Sequence, residues 1–495
     1  MSSVTLFLMG IAFSIVLALL AKRLKFLYAL RRIPSPMSLP LIGNAIQLQC
    51  SQEEFFKRLL QWSREFGDIF LIWVGVQPFI FLYRVEDIQP LLSSSVHINK
   101  SAAYEFLRPW LGTGLVTSNG KKWYTRRKLI TPSFHSGLLE QYLKNSIREA
   151  DILVTKLRAE VNKNGFNIVP YAKLAALDVI CVSAMGYHIN AQSNCTNEYV
   201  LAVDKAARIT QERFVNIWIS LDVIFKRTTA GKEFKKALEI MDRFTEKVIT
   251  GRKAEWRSKR DGNFNEFPKK RKALLDMLLE MSDDGKILSD EDIREEVNTF
   301  MFAGHDTVAT SVSWILYALG RFPKYQNLIL EEYDRIIGSN DITLEDLNKL
   351  DWLEACIKES WRLYPVTPLI ARQISDPLRL RDTDIPSGST ILINSYILNR
   401  DPRHYTQPEM YYPERFLPDK PKPPPFAFIP FSAGSRNCIG AKFALIEVKV
   451  MILRILNAYN IHSLDSEDKL RLTAELVLAN TGGLRLAITP RHSPA

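Results

Sequence analysis

Paired metal or redox motifs are missing from this chain. No C-x-x-C, H-x-x-H or H-E-x-x-H occurs, and there is no G-x-G-x-x-G or P-loop. The first absences leave no case for a zinc site or a dithiol redox centre, and the last two argue against nucleotide binding. The five cysteines (Cys50, Cys181, Cys195, Cys356, Cys438) are odd in number and widely scattered, which points to a reducing compartment rather than a disulfide framework. Internal repeats and low-complexity tracts are also missing, apart from a short proline spacer from Pro421 to Pro425. The net charge of +11 permits nucleic acid, an anionic membrane face or an acidic protein as partner. With no nucleic-acid module and with basic residues spread rather than striped, nucleic acid is excluded as the expected partner. The densest basic run, Lys269-Lys270-Arg271-Lys272, reads as a solvated loop before a helical stretch from Ala273 to Met281.

What is present begins with an apolar N-terminus. Val4 to Ala21 carries no charge, and as a helix of ~27 Å it matches the hydrocarbon thickness of a bilayer. Lys22, Arg23, Lys25, Arg31 and Arg32 follow at once, so the positive-inside rule puts the remainder in the cytoplasm. A cleaved signal peptide would have the opposite polarity; an uncleaved anchor is expected. The sequon Asn194-Cys195-Thr196 should then stay unglycosylated. Residues 1–32 form the expected anchor with its basic flank. Residues 33–44, with Pro34, Pro36 and Pro40 ahead of Gly43, form a stiff link with no helical continuation. Residues 45–495 form the expected main domain.

The 495-residue chain, 46% hydrophobic and 24% charged, can build a large composite core. Strand-like alternation is confined to short stretches such as Ile69–Val74, Phe79–Tyr83 and Thr390–Asn394, whereas Glu140–Leu363 shows helical spacing. The expected class is mainly α with small β-sheets. One long helix opens at a capping Ser289 followed by Asp290, Glu291 and Asp292, and stops before Pro323. Within it, Gly304 costs ~1 kcal/mol relative to alanine and calls for a reason.

Near the C-terminus the chain reads Pro430-Phe431-Ser432-Ala433-Gly434-Ser435-Arg436-Asn437-Cys438-Ile439-Gly440. Two glycines permit tight backbone approach, Arg436 brings positive charge that favours a thiolate at Cys438, and Phe431 can cover one side. A buried free cysteine in a glycine-rich turn is the plainer alternative, outweighed by five spaced matches. The spacing F-x-x-G-x-R-x-C-x-G resembles that of the cytochrome P-450 family of haem-thiolate enzymes.

That resemblance implies a helix-rich haem domain with a long central helix over the haem and a minor β subdomain. It implies haem b (Fe-protoporphyrin IX), non-covalent apart from a Cys438 thiolate–iron bond. Phe302-Ala303-Gly304-His305-Asp306-Thr307 is similar to the family's A-G-x-D-T element, where the helix is expected to widen above the haem. Asp306, joined to bulk solvent, and Thr307 would manage proton delivery. Trp123 and Arg127, with Arg372 and Arg436, match anchors for the haem propionates. Glu359 and Arg362, with Arg415 of Pro413-Glu414-Arg415-Phe416, match a structural lock.

The implied partners are NADPH–cytochrome P-450 reductase, cytochrome b5, the membrane and a lipophilic small-molecule substrate, with basic surface near Lys442 and Lys449 docking an acidic protein. The implied location is the endoplasmic reticulum membrane, single-pass, facing the cytoplasm. Asp178–Cys181, Ala184–Gly186, Leu288–Asp306 and Asn399–Tyr405 look like the fatty-acid-hydroxylating branch, family four. Many members of that branch have a haem-linking glutamate where this chain has Ala303, so no ester is expected and terminal-carbon selectivity is put in doubt. The leading function is a reductase-dependent monooxygenase. Its rivals are a reductase-independent hydroperoxide isomerase or dehydratase, which the Asp306/Thr307 pair argues against, and a haem-based sensor. Specificity is expected in Tyr104–Ser118, Arg208–Leu221 and Pro365–Ile370.

Overall fold

The computed structural model describes residues 3–193, 198–261, 273–282 and 287–491. The sequon at 194–196 and the basic run at 269–272 lie outside them. The first helix, α1 (Ser3–Leu30), exposes its apolar surface from Val4 to Leu19, whereas its last turns expose Leu24, Leu27 and Tyr28 on one side and bury the other. Phe26 and Leu30 are buried with Ile33 in a cluster that includes Trp73, Ile80 and Ile391. The Arg23 guanidinium stacks 4.8 Å from the Trp73 ring and donates to Ser38 Oγ at 2.9 Å. Pro34 O accepts from Leu71 N at 2.9 Å, and Asn44 Oδ1 accepts from Trp73 N at 2.8 Å. The expected break at residues 32–33 therefore falls inside a packed contact.

The sheet that receives α1 comprises β1 (Ile69–Val74), β2 (Gln77–Leu82), β3 (Leu369–Gln373) and β4 (Thr390–Asn394). Its order is β1-β2-β4-β3. The β2–β4 pair is parallel, with Ile80 opposite Ile391, and its neighbours are antiparallel. Among the described residues, three smaller sheets complete the β part.

Helices form the rest. α2 (Gly120–Ile130) carries Trp123 and Arg127, and α3 (Ile168–Ile180) is nearly uniformly apolar and buried. α4 (Glu198–Val215) follows it. The expected long helix is α5 (Asp290–Arg321), opened by a capping box: Ser289 Oγ accepts from Asp292 N at 3.1 Å while Asp292 Oδ2 accepts from Ser289 N at 3.1 Å. It is buried on most sides, as befits the central element of a layered core. α6 (Asp351–Leu363) and α7 (Ala441–Ala458) pack against it.

Gly304 now has its reason. A Cβ there would lie 2.6 Å from Ile180 Cδ1, so the glycine lets α3 and α5 approach closely. The expected widening of α5 at this point is not found. The helix runs unbroken through 302–307, and a π-turn occupies Cys181–Met185 at the end of α3 instead.

Candidate active site

Phe431 to Cys438 forms a tight loop ahead of α7, closed by Cys438 N donating to Phe431 O at 2.9 Å. Ser432 (φ +58°) and Gly434 (φ +70°) are both left-handed, and a Cβ on Gly434 would sit 1.8 Å from Leu92 O. Only glycine fits there. Gly440 differs from expectation: at φ −90° its nearest neighbour for an added Cβ is Phe134 at 3.8 Å, so protein packing does not demand it. Phe431 stands edge-on to Trp361, with ring centroids 5.2 Å apart.

Cys438 shows its surface to a cavity of about 300 Å³. Burial pushes its thiol up, while the Gly440 N–H and the Arg127 charge pull it back. The cation acting on the sulfur is thus Arg127, not the expected Arg436. Arg127 is held by Asn437, donating to its O and Oδ1 at 2.8 Å each. Arg436 turns toward the backbone, donating to Ile98 O at 2.9 Å and to Ser118 O, and stacks 4.3 Å from the Trp123 ring. Burial and the neighbouring Arg372 bring it down to about 9.

Lys100, Arg127, Arg372 and Arg436 all line this cavity, and no acidic residue does so among its described lining residues. Burial, then the charges of Arg372 and Arg436, holds Lys100 well below the usual lysine range. Converging buried cations are costly without an anionic partner. A porphyrin bearing two carboxylates would fit this donor set, with Cys438 placed to supply a thiolate to its metal.

Thr307 lines the same cavity and also an apolar one of about 490 Å³, walled by Phe79, Phe106, Phe302 and Leu392. Its Oγ1 donates to Ala303 O at 2.7 Å. Asp306 faces the other way. It lines a third cavity, of about 1080 Å³, whose rim includes the exposed Leu201. There Lys173 Nζ lies 2.8 Å from Asp306 Oδ1 and also pairs with Asp204. Burial works to raise the Asp306 carboxyl, but Lys173 and His305 outweigh it and hold it below the usual range.

Glu359, Arg362 and Arg415 come together. Arg362 grips Glu359 with two bonds of 2.8 Å, both side chains being fully buried, and Arg415 Nε reaches Glu359 Oε2 at 3.1 Å. Arg362 also donates to the carbonyls of Asn399 and Met410 at 3.0 and 2.9 Å. It stacks under Tyr405, whose hydroxyl reaches Ala427 O at 3.2 Å, shortly before the cysteine loop. The expectation of a basic surface at Lys449 fails. That lysine is buried, donating to Leu347 O at 2.6 Å and Glu354 at 2.8 Å, and only Lys442 is exposed.

A family model for cytochrome P450 matches residues 33–486. The chain belongs to the cytochrome P450 family. It is similar to cytochrome P450 4c3 of Drosophila melanogaster, at 39% identity covering 99% of this chain and 95% of that one. It is also similar to cytochrome P450 4V2 of Mus musculus and of Homo sapiens. Each is 41% identical over 94% of this chain, which covers 90% and 91% of the relative respectively. Membership makes this P450 a haem-iron monooxygenase of the family-four type. Its first apolar helix fits a membrane anchor. Lys100, Lys173, Asp204 and Glu475 were not read as site residues in the sequence. Lys173 alone left a signal there, as the one basic residue of α3.

Proposed function

We propose that this P450 is a reductase-dependent monooxygenase of the endoplasmic reticulum, inserting one oxygen atom from O2 into a C–H bond of a fatty acid or another lipophile. The observation carrying it is that Cys438 and Thr307 line one cavity, and that Thr307 also lines an apolar cavity beside it. Cys438 would ligate the iron; metal binding deprotonates a thiol outright, offsetting the upward push of burial. Arg127, Arg372 and Arg436, with Trp123 and Lys100, would hold the propionates of haem b. Phe431, Gly434 and Gly440 would shape the thiolate loop, and Ala303 offers no carboxyl for a second covalent link. Bound there, haem supplies dioxygen activation, favoured by electron donation from the thiolate.

The chain's own residues manage water and protons. Asp306, kept ionised by Lys173, sits at the inner end of the solvent-side cavity, where it can receive protons. Thr307 presents a hydroxyl to the substrate side. Glu359, Arg362 and Arg415 would lock the segment leading to Cys438. Electrons would come from NADPH–cytochrome P-450 reductase, with cytochrome b5 as a second donor, docking near Lys442. Residues 1–32 would anchor and 33–44 would orient a cytoplasmic catalytic region, 45–495.

Cys438→Ser tests this reading. The wild type with reductase, NADPH and oxygen should oxidise members of a lipid library, and its reduced, CO-treated spectrum should peak at the thiolate position. A serine variant retaining that peak would refute the assignment.

A further inference from the structure

The hairpin Leu472–Ala474/Leu478–Asn480 turns through Glu475, Leu476 and Val477. It is held rigidly: Leu478 N donates to Val366 O at 2.9 Å, and Trp314 Nε1 donates to Leu478 O at 2.9 Å. The turn stands between the solvent-side cavity of about 1080 Å³ and the apolar cavity of about 490 Å³. Among the described residues, Glu475 and Val477 are the two that line both. Glu475 is therefore the titratable side chain shared by the charged cavity and the apolar one.

Several charges share the larger cavity with it, and Lys173, Asp204, Asp306 and Arg208 act on it electrostatically. α3 supplies Lys173, α5 supplies Asp306, and α4 supplies Asp204, Lys205, Arg208 and Glu212. The helix Gln52–Phe66, packed on the hairpin, adds Glu53. On the apolar side stand Lys100 and Arg213, and Arg213 is already engaged by Asp222 at 2.5 Å and by the Ile219 and Ser220 carbonyls. Burial raises the Glu475 carboxyl to about 7, assisted by Asp204 and Asp306 and opposed by Lys173 and Arg208.

Resting on the reading that the apolar cavity takes the substrate, we propose that Glu475 sorts substrates by head-group charge: ionised, it disfavours anionic heads and favours cationic ones, leaving neutral heads indifferent. The geometry gives the mechanism. A head group seated at the hairpin end of the cavity meets the Glu475 carboxyl, the one acidic group among the described lining residues beside Lys100 and Arg213, in partly buried surroundings where charge is poorly screened. By linkage, an anionic ligand binds the protonated form better and a cationic ligand the ionised form.

The test uses the full-length holoenzyme in zwitterionic phosphatidylcholine nanodiscs, with decyl sulfate, decanol and decyltrimethylammonium as probes read by the haem absorbance shift. None of the probes titrates near neutrality, and the quaternary amine cannot ligate iron. For a bound-state shift of one pKa unit, decyl sulfate should bind about fivefold more weakly near pH 8 than near pH 6, and decyltrimethylammonium about fivefold more tightly. Decanol should be flat. Glu475→Gln should flatten both ionic profiles and Glu475→Asp should keep them. Equal slopes for the two ions, no slope, or slopes surviving in Glu475→Gln would overturn the proposal. Should Glu475→Gln fail to load haem, the wild-type and Glu475→Asp profiles decide. Loss of the thiolate-type CO spectrum in the wild type would overturn the monooxygenase reading along with it.

Discussion

Replacing Glu359 by glutamine removes the charge that Arg362 and Arg415 share. Glu359 accepts two bonds of 2.8 Å from Arg362, one of 2.8 Å from Tyr412 N and one from Arg415, all around a fully buried carboxylate. The amide has the right shape but leaves the Arg362 cation buried without a counter-charge. Breaking such a pair by removing one partner costs about 3–5 kcal/mol. A cooperative unfolding entropy of ~2.1 cal/mol/K per residue gives roughly 1 kcal/mol per degree for the 495-residue chain. The expected fall in Tm is then about 3–5 °C. Because the triad leads through Tyr405 to the segment before Cys438, haem content per mole of purified protein should fall as well. Calorimetry and the ratio of CO-reactive haem to protein measure the two effects. The fraction that does load haem should turn over at the wild-type rate, since no member of the triad lines the cavity of Cys438. Wild-type Tm and haem content in Glu359→Gln would refute the structural role, and wild-type haem content with lost turnover would refute its separation from chemistry.

Lys173→Met should invert a pH dependence. The folded Asp306 carboxyl lies below its ordinary value, so it contributes stability above the unfolded pKa that is lost as pH falls through the folded one. Without Lys173 burial prevails, the folded carboxyl rises, and the variant should lose stability relative to wild type as pH increases; Tm measured from acid to neutral pH reads the slope. Gly434→Ala, driven against Leu92 O at φ +70°, should abolish haem incorporation, whereas Gly440→Ala should keep wild-type thermal stability of the apoprotein. Absorbance titration with hemin and calorimetry separate the two, and equal behaviour would contradict the contact geometry.

Local patterns were readable because their members are close in the chain. The capping Ser289 with its first-turn acids, the glycine before the cysteine, and the Glu359/Arg362 pair each lie within a few residues. Placement across the fold was harder. Lys173 and Asp306 are far apart in the chain and meet only because α3 packs on α5 around Gly304. Lys100 and Glu475 are single charges on unrelated segments, and nothing in their spacing marks them. Asp306 and Thr307 are adjacent in sequence, yet neighbouring positions on a helix point about 100° apart, so they open onto different cavities. Lys449 was misplaced for the opposite reason. It lies in an apolar run, Val448 to Leu453, which α7 buries, and its charge is satisfied by Glu354 rather than by water.

The docking of Phe26 and Leu30 beside Trp73 makes the end of α1 a strut rather than a tether. The strands it braces also contribute Ile72, Phe79 and Phe81 to the wall of the apolar cavity. A displacement at the end of α1 would therefore be borne by strands that also wall that cavity.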